Sequence, residues 1–156
     1  MNHLAAFTAA CLLCAPVSTA RAGQHHPPLA GAMGFDQEKT THHFRLLPTG
    51  GSIDVDVNDR ADHATLHAVH AHLEEIADEF SKGTFDKPLA THGEPPPGTA
   101  AMRALKDRLE YVFEATAAGG RVRITTRDAE ALAAVHEFLR YQIREHHTGD
   151  PLTVPR

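Results

Sequence analysis

The sequence predicts an α+β fold, in which two ββα repeats form a four-stranded antiparallel sheet with two helices packed on one face. Two hairpin-like segments match each other at a constant offset of 69 residues. Each is followed by a stretch whose apolar residues recur at helical spacing. One ββα unit buries too little surface to stand in water, whereas two side by side make a two-layer sandwich.

The first hairpin comprises His42-His43-Phe44-Arg45-Leu46-Leu47, then Pro48-Thr49-Gly50-Gly51, then Ser52-Ile53-Asp54-Val55-Asp56-Val57. The second comprises Tyr111-Val112-Phe113-Glu114-Ala115-Thr116, then Ala117-Ala118-Gly119-Gly120, then Arg121-Val122-Arg123-Ile124-Thr125-Thr126. Gly-containing linkers between alternating runs read as hairpin loops, here of four residues. That loop length sets Leu47 against Ser52, Leu46 against Ile53, Phe44 against Val55, Arg45 against Asp54 and His43 against Asp56. The equivalent pairs in the second hairpin are Ala115 with Val122, Phe113 with Ile124, Glu114 with Arg123 and Glu110 with Arg127. One face of each hairpin is then apolar, and the other carries opposite charges across the ladder.

A helix is expected from about Asp59 to Phe80, with Leu66, Val69, Leu73, Ile76, Ala77 and Phe80 on one stripe. A second is expected from about Asp128 to His147, with Leu132, Val135, Leu139 and Ile143 on its stripe. Asp59 and Asp128 stand where N-caps belong. Gly149 and Pro151 stop the second helix. The helices align as Val69-His70-Ala71-His72-Leu73 with Val135-His136-Glu137-Phe138-Leu139. The domain plan is a signal peptide over 1–22, a flexible arm over 23–39, a single domain over 40–150 and a tail over 151–156. Within the domain, repeat one spans 40–80, a long Pro/Gly-rich loop 81–99 and repeat two 107–148.

Leu4 to Ala15 is an apolar run, and Ala20-Arg21-Ala22 is an A-x-A-type cleavage site before Gly23. The chain is therefore expected to be exported, periplasmic or secreted. Its apolar run is too short to span a bilayer. Both cysteines, Cys11 and Cys14, lie inside the signal, which leaves no disulfide or thiolate ligand for the remainder. The formal net charge is −5, and no basic stripe interleaved with aromatics points to nucleic acid. Val112 among the charges of the sheet's outer face leaves association into a homodimer open.

The chain has 13 histidines, all but His3 beyond the signal. Imidazole is a borderline ligand for Zn, Cu(II), Ni and Fe, and it titrates near neutral pH. In projection His42 points to the core face of its strand. His70 and His136 flank the apolar stripes at equivalent positions, and His72 lies at the other flank of the first helix. His146 sits on the apolar face at the end of the second helix, and His92 lies in the long loop. These six are the candidate metal ligands. His70 and His136 would face each other symmetrically across the helix–helix seam, as a Zn, Cu(II) or Ni site or a bis-imidazole haem site. The bland alternative gives them carbonyl or carboxylate partners, and makes His146 a cation at a helix C-terminus. His63 and His67, spaced i, i+4, read as a solvated face. No nucleophile elbow, P-loop or dinucleotide fingerprint is present.

Gly34-Phe35-Asp36, Lys39-Thr40-Thr41-His42-His43-Phe44, and His136-Glu137-Phe138-Leu139-Arg140 running on to His146-His147-Thr148-Gly149-Asp150 together resemble a family of small exported bacterial proteins without an established activity. The resemblance spans nearly all the chain after the signal and implies export. Some members carry an aspartate carbamoyltransferase assignment. The residues argue against it, because the chain is about half the length of such enzymes and lacks their Ser-Thr-Arg-Thr helix start. The leading expectation is an exported protein that binds a divalent transition metal or haem for handling rather than catalysis. The alternatives are a metal-dependent enzyme with an open coordination position and a cofactor-free structural or partner-binding module.

Overall fold

The computed structural model describes residues 34–155. The expected signal peptide over 1–22 and residues 23–33 of the expected arm lie outside the described residues. Four strands form one antiparallel sheet in the order β1-β2-β4-β3, with β1 at Thr40–Leu47, β2 at Gly50–Val57, β3 at Leu109–Ala115 and β4 at Gly119–Thr126. The two long helices are α1 (His63–Ser81) and α4 (Ala129–Glu145). Between them α2 (Asp86–His92) forms inside the stretch expected to be a loop, 81–99, and α3 (Thr99–Ala104) follows it. The repeats join through β2 and β4, where Ile53 faces Val122. The 69-residue offset relates that pair, so a pseudo-twofold passes between them.

The hairpin register differs from expectation by two residues. Leu47 faces Gly50, Phe44 faces Ile53 and His43 faces Asp54, while Ala115 faces Gly120 and Phe113 faces Val122. The turns are therefore only Pro48-Thr49 and Ala117-Ala118. A slip of two preserves which face each side chain takes, so Phe44, Leu46, Val122 and Ile124 all stay buried. Two of the four expected charge pairs persist as diagonals, with Arg45 3.5 Å from Asp54 and Arg123 2.7 Å from Glu114, while His43 pairs with Asp150 instead of Asp56. Gly-Gly reads locally as loop. Here it belongs to strands, because the backbone must be bare where other elements press on it. A Cβ on Gly51 would overlap the Leu139 side chain of α4, and one on Gly120 would come within 2.9 Å of Leu73 of α1.

Those two contacts place both helices on one face and show that they are crossed. The helix of repeat one covers the hairpin of repeat two, and the reverse. α1 begins at Asp62 rather than Asp59. The Asp62 carboxylate accepts from the Thr65 amide at 3.0 Å and forms an ion pair with Lys39 at 3.0 Å. Asp128 caps α4 as expected, accepting from the amides of Glu130 and Ala131 at 3.0 Å. On α1, Val69, Leu73, Ile76, Ala77 and Phe80 are buried. The buried face of α4 is wider than its aliphatic stripe and includes Ala134, Phe138 and Gln142. α3 covers its second side, with Gly98 pressed against the Ala134 carbonyl.

The arm is fixed at its end. Phe35 is buried, Asp36 caps a 3₁₀ turn over Gln37–Lys39, and Asn58 donates to the Lys39 carbonyl at 2.9 Å. The tail is fixed as well, since the Asp150 carboxylate accepts from the Phe44 amide and from His43 Nδ1, both at 3.0 Å. No helix among the described residues is long and apolar enough to cross a membrane.

The tight glycines should differ in tolerance. A Cβ at Gly119 would overlap the Val55 carbonyl of the neighbouring strand, whereas at Gly120 it meets only side-chain ends, Phe113 at 2.8 Å and Leu73 at 2.9 Å. Urea unfolding should show Gly120→Ala costing about 1–3 kcal/mol, the usual range for overpacking. Gly119→Ala should cost more than Gly120→Ala, because backbone cannot step aside.

Candidate functional site: imidazoles at the helix seam

The six candidate histidines divide into two groups. His70 and His136 do not face each other. Nε2 of His70 donates to the Gly119 carbonyl at 2.8 Å, and Nε2 of His136 to the carbonyls of Leu47 and Gly50, each at 2.9 Å. A carbonyl oxygen can only accept, so in both rings Nε2 carries the proton. The two turns lie at opposite ends of the antiparallel β2–β4 ladder, which rules out a shared ligand for this pair. Each ring pins the hairpin of the other repeat, and the crossed packing is what takes these two histidines away from the seam.

His42, His72, His92 and His146 come together from four different elements. His42 projects from β1 and stacks on His146, just past the end of α4, with ring centroids 6.0 Å apart. His92, the last residue of α2, meets His146 edge-on at 5.3 Å. Phe35 of the arm touches His72 of α1 at 5.5 Å and His42 at 6.3 Å. Phe44 lies 5.3 Å from His146. Between α1, α2 and α4 is a cavity of about 60 Å³, lined by His72, His92, His146, Gln142, Lys87 and apolar side chains.

The repeat shows what is unusual here. The aligned helices pair His72 with Phe138, Ile76 with Gln142 and Phe80 with His146, and the hairpins pair His42 with Tyr111. On the other side of the pseudo-twofold the equivalents of His42 and His146 make an ordinary aromatic contact, Phe80 against Tyr111 at 5.8 Å. In three of the four pairs one member is an apolar core residue and the other is polar; in the fourth, Tyr111 is only half-buried and its hydroxyl has no hydrogen-bond partner.

Burial has a clear electrostatic consequence. It pushes His42, His72 and His146 down to about 4, assisted by mutual repulsion among the rings and, at His72, by the charge of Lys87. All three are neutral at physiological pH, the form a metal requires. Nε2 of His42 is buried with no hydrogen-bond partner. Gln142, only 4% exposed, accepts at Oε1 from His92 Nε2 at 3.2 Å, and its Nε2 has no partner. A buried donor left unsatisfied costs about 1–3 kcal/mol. Among the described residues no three or more His, Cys, Asp or Glu side chains are grouped so that they could hold a metal ion.

Sequence reasoning placed His42, His72, His92 and His146 among the candidates but did not group them. It missed Gln142, Lys87 and Phe35. The helix alignment carried a signal for Gln142, since it sets an amide against Ile76. No protein family, no curated protein and no solved structure matches the chain.

His70→Ala and His136→Ala should each lower stability by about 1–3 kcal/mol through unpaired carbonyls, measured by urea unfolding. The pH dependence of stability should come from the other group. His42, His72 and His146 have folded pKa values near 4 against about 6.5 when unfolded. Between those values the unfolded chain holds more protons, so stability rises with pH. Their contribution is complete above about pH 6.5 and is lost as pH falls toward 4. Replacing the three together with Phe, Phe and Leu should flatten stability over this range in unfolding curves at stepped pH.

Proposed function

We propose that this chain is an exported metal-handling protein that binds a divalent transition metal ion, Zn, Cu(II) or Ni, at the seam pocket through His42, His72, His92 and His146. The observation that carries the reading is the broken symmetry of the seam. The fold buries Phe80, Phe138 and Ile76 at one member of three repeat-related pairs and sets half-buried His146, half-buried His72 and fully buried Gln142 at the other, while half-buried His42 stands opposite half-buried Tyr111. Imidazole buried in place of a phenyl ring adds nothing to folding and must stay neutral against its ordinary titration. Departures of this kind from the requirements of a core are characteristic of functional sites.

Three further features support the reading. The donors are nitrogen only, which matches borderline metals rather than Cu(I) or Ca²⁺. His42, His72 and His146 are neutral to well below physiological pH, so protons compete weakly for them. The cavity, about 60 Å³, has room for an ion with a water or two, against roughly 300–1,000 Å³ for pockets that hold drug-sized molecules. That size favours an ion over haem. Handling is preferred to catalysis because the pocket, at about 60 Å³, leaves little room for a substrate beside an ion.

Calorimetric titration of the chain from residue 23 onward, purified without a histidine tag, provides the test. His42→Ala, His72→Ala, His92→Ala and His146→Ala should each weaken Zn or Cu(II) binding about tenfold or more. The double variant His42→Ala/His146→Ala should be little worse than either single change, because opening a shared site once already releases the ion. His70→Ala and His136→Ala should leave affinity unchanged. Affinity that survives the double variant and disappears on deletion of residues 23–33 would assign binding to the arm histidines His25 and His26 and defeat the proposal.

A further inference from the structure

We infer that α2 is a movable wall of the seam pocket, latched shut by Lys87, and that the ion enters and leaves by its displacement. This regulation of access rests on the ion-binding reading above. α2 presents Lys87, Pro88, Thr91 and His92 to the cavity, a set that lies on one side of a single helical turn and a half. It is the only element besides α1, β1, β2 and α4 to line that cavity. It brings His92 from outside the two repeats, so the site is complete only while α2 is docked.

The way α2 is held distinguishes it from everything around it. None of its residues is buried, and no side chain caps its N-terminus. Its outer surface exposes Leu89. On either side the chain is anchored firmly. Phe85 is 2% exposed and packs 4.5 Å from Phe80. Pro96 is buried, Thr99 Oγ1 donates to its carbonyl at 2.7 Å, and Met102 is fully buried beyond it. Between these anchors no residue from 86 to 95 is buried. Gly93 ends the helix at φ 75°, with nothing near its absent side chain. Local opening is easiest where few apolar contacts must be given up. A rotation of this segment about Phe85 and Gly93 exposes no fully buried side chain and gives up mainly the edge-on contacts of His92 with Tyr141 at 5.1 Å and His146 at 5.3 Å.

Polar ties between α2 and the body therefore carry the closure. Lys87 Nζ lies 2.7 Å from Glu75 Oε1 and 2.9 Å from Glu79 Oε1, bridging α2 to α1. His92 Nε2 donates to Gln142 Oε1, bridging α2 to α4. The lysine side chain is 19% exposed, so its charge is largely shielded from solvent and depends on the two carboxylates. When His92 turns from Gln142 toward an ion, one of these ties is exchanged for a metal bond. Ligand then holds the wall closed from inside.

Native-state hydrogen exchange on the full chain without metal, followed by Zn²⁺, tests the inference. Glu75→Gln/Glu79→Gln is the unlatched variant, and neither residue touches the cavity. In the wild type the amides of α2 should exchange well ahead of those of α1 and α4, and Zn²⁺ should slow them. In the variant, metal-free exchange across α2 should be faster by about fivefold, the scale of a partly exposed ion pair. Association of Co²⁺ and its release to a chelator, followed by stopped-flow absorbance, should both quicken. Protection of α2 equal to that of α1, or Co²⁺ rates identical in both proteins, would overturn the movable wall even if metal binds. If no metal binds and α2 nevertheless opens first and responds to unlatching, the wall stands as a gate and the metal reading fails separately.

Discussion

The crossing of the two long helices over each other's hairpins is the constraint on which the rest of this structure depends. A ββα unit that folded its helix back onto its own strands would be self-contained and small. Here each helix is committed to the other repeat. Leu73 lies over Gly120 and Leu139 over Gly51, while His70 reaches the Gly119 carbonyl and His136 those of Leu47 and Gly50. Neither repeat can bury its apolar faces without its twin. Cooperativity between halves is therefore built into the packing, and four glycines serve as strand residues although they look like loop.

Crossing also brings α1 and α4 together at a seam where Phe80 meets Phe138 with ring centroids 5.9 Å apart. Perfect symmetry would fill this seam twice with the same residues. The chain fills it with Phe138, Ile76 and Phe80 from one side and His72, Gln142 and His146 from the other. The apolar members contribute hydrophobic burial of order 1.5–3 kcal/mol each. The polar members contribute less, and Gln142 leaves its Nε2 donor unsatisfied. A fold stabilised redundantly by its duplicated core can carry such a cost in one place. The same duplication supplies the contrast that makes the cost visible.

Local devices finish the corner where the imidazoles meet. Phe35 reaches back from the arm to cover His42 and His72. Asp150 closes the other side by accepting from His43 and from the Phe44 amide, which holds the tail beside β1 and keeps α4's end, with His146, in place. α2 adds His92 across the cavity. Three segments outside the paired hairpins and helices thus serve the one asymmetric region, and the symmetric region needs none of them.

Much of the architecture was legible in the sequence. The 69-residue repeat, the alternating strands, the apolar stripes of α1 and α4 and the Asp128 cap follow from local periodicity and capping chemistry, which neighbours in sequence express by themselves. The face of every strand was legible too, because it depends only on parity. Hairpin register was not, since Gly-Gly has the same local appearance in a turn and under a pressing helix. Nor was the order of helices over hairpins, which nothing in either repeat encodes alone. That order decided the candidate site. His70 and His136 looked like seam partners by alignment, and crossed packing sent each to a distant turn. His42, His72, His92 and His146, spread across more than a hundred residues, became neighbours only through the tertiary structure. The sequence by itself determined which residue types were available and which faces were apolar. Only packing between the repeats decided that His72, His92 and His146 line one cavity and that His42 stacks beside it, because such contacts are set by the meeting of elements rather than by the spacing within any one of them.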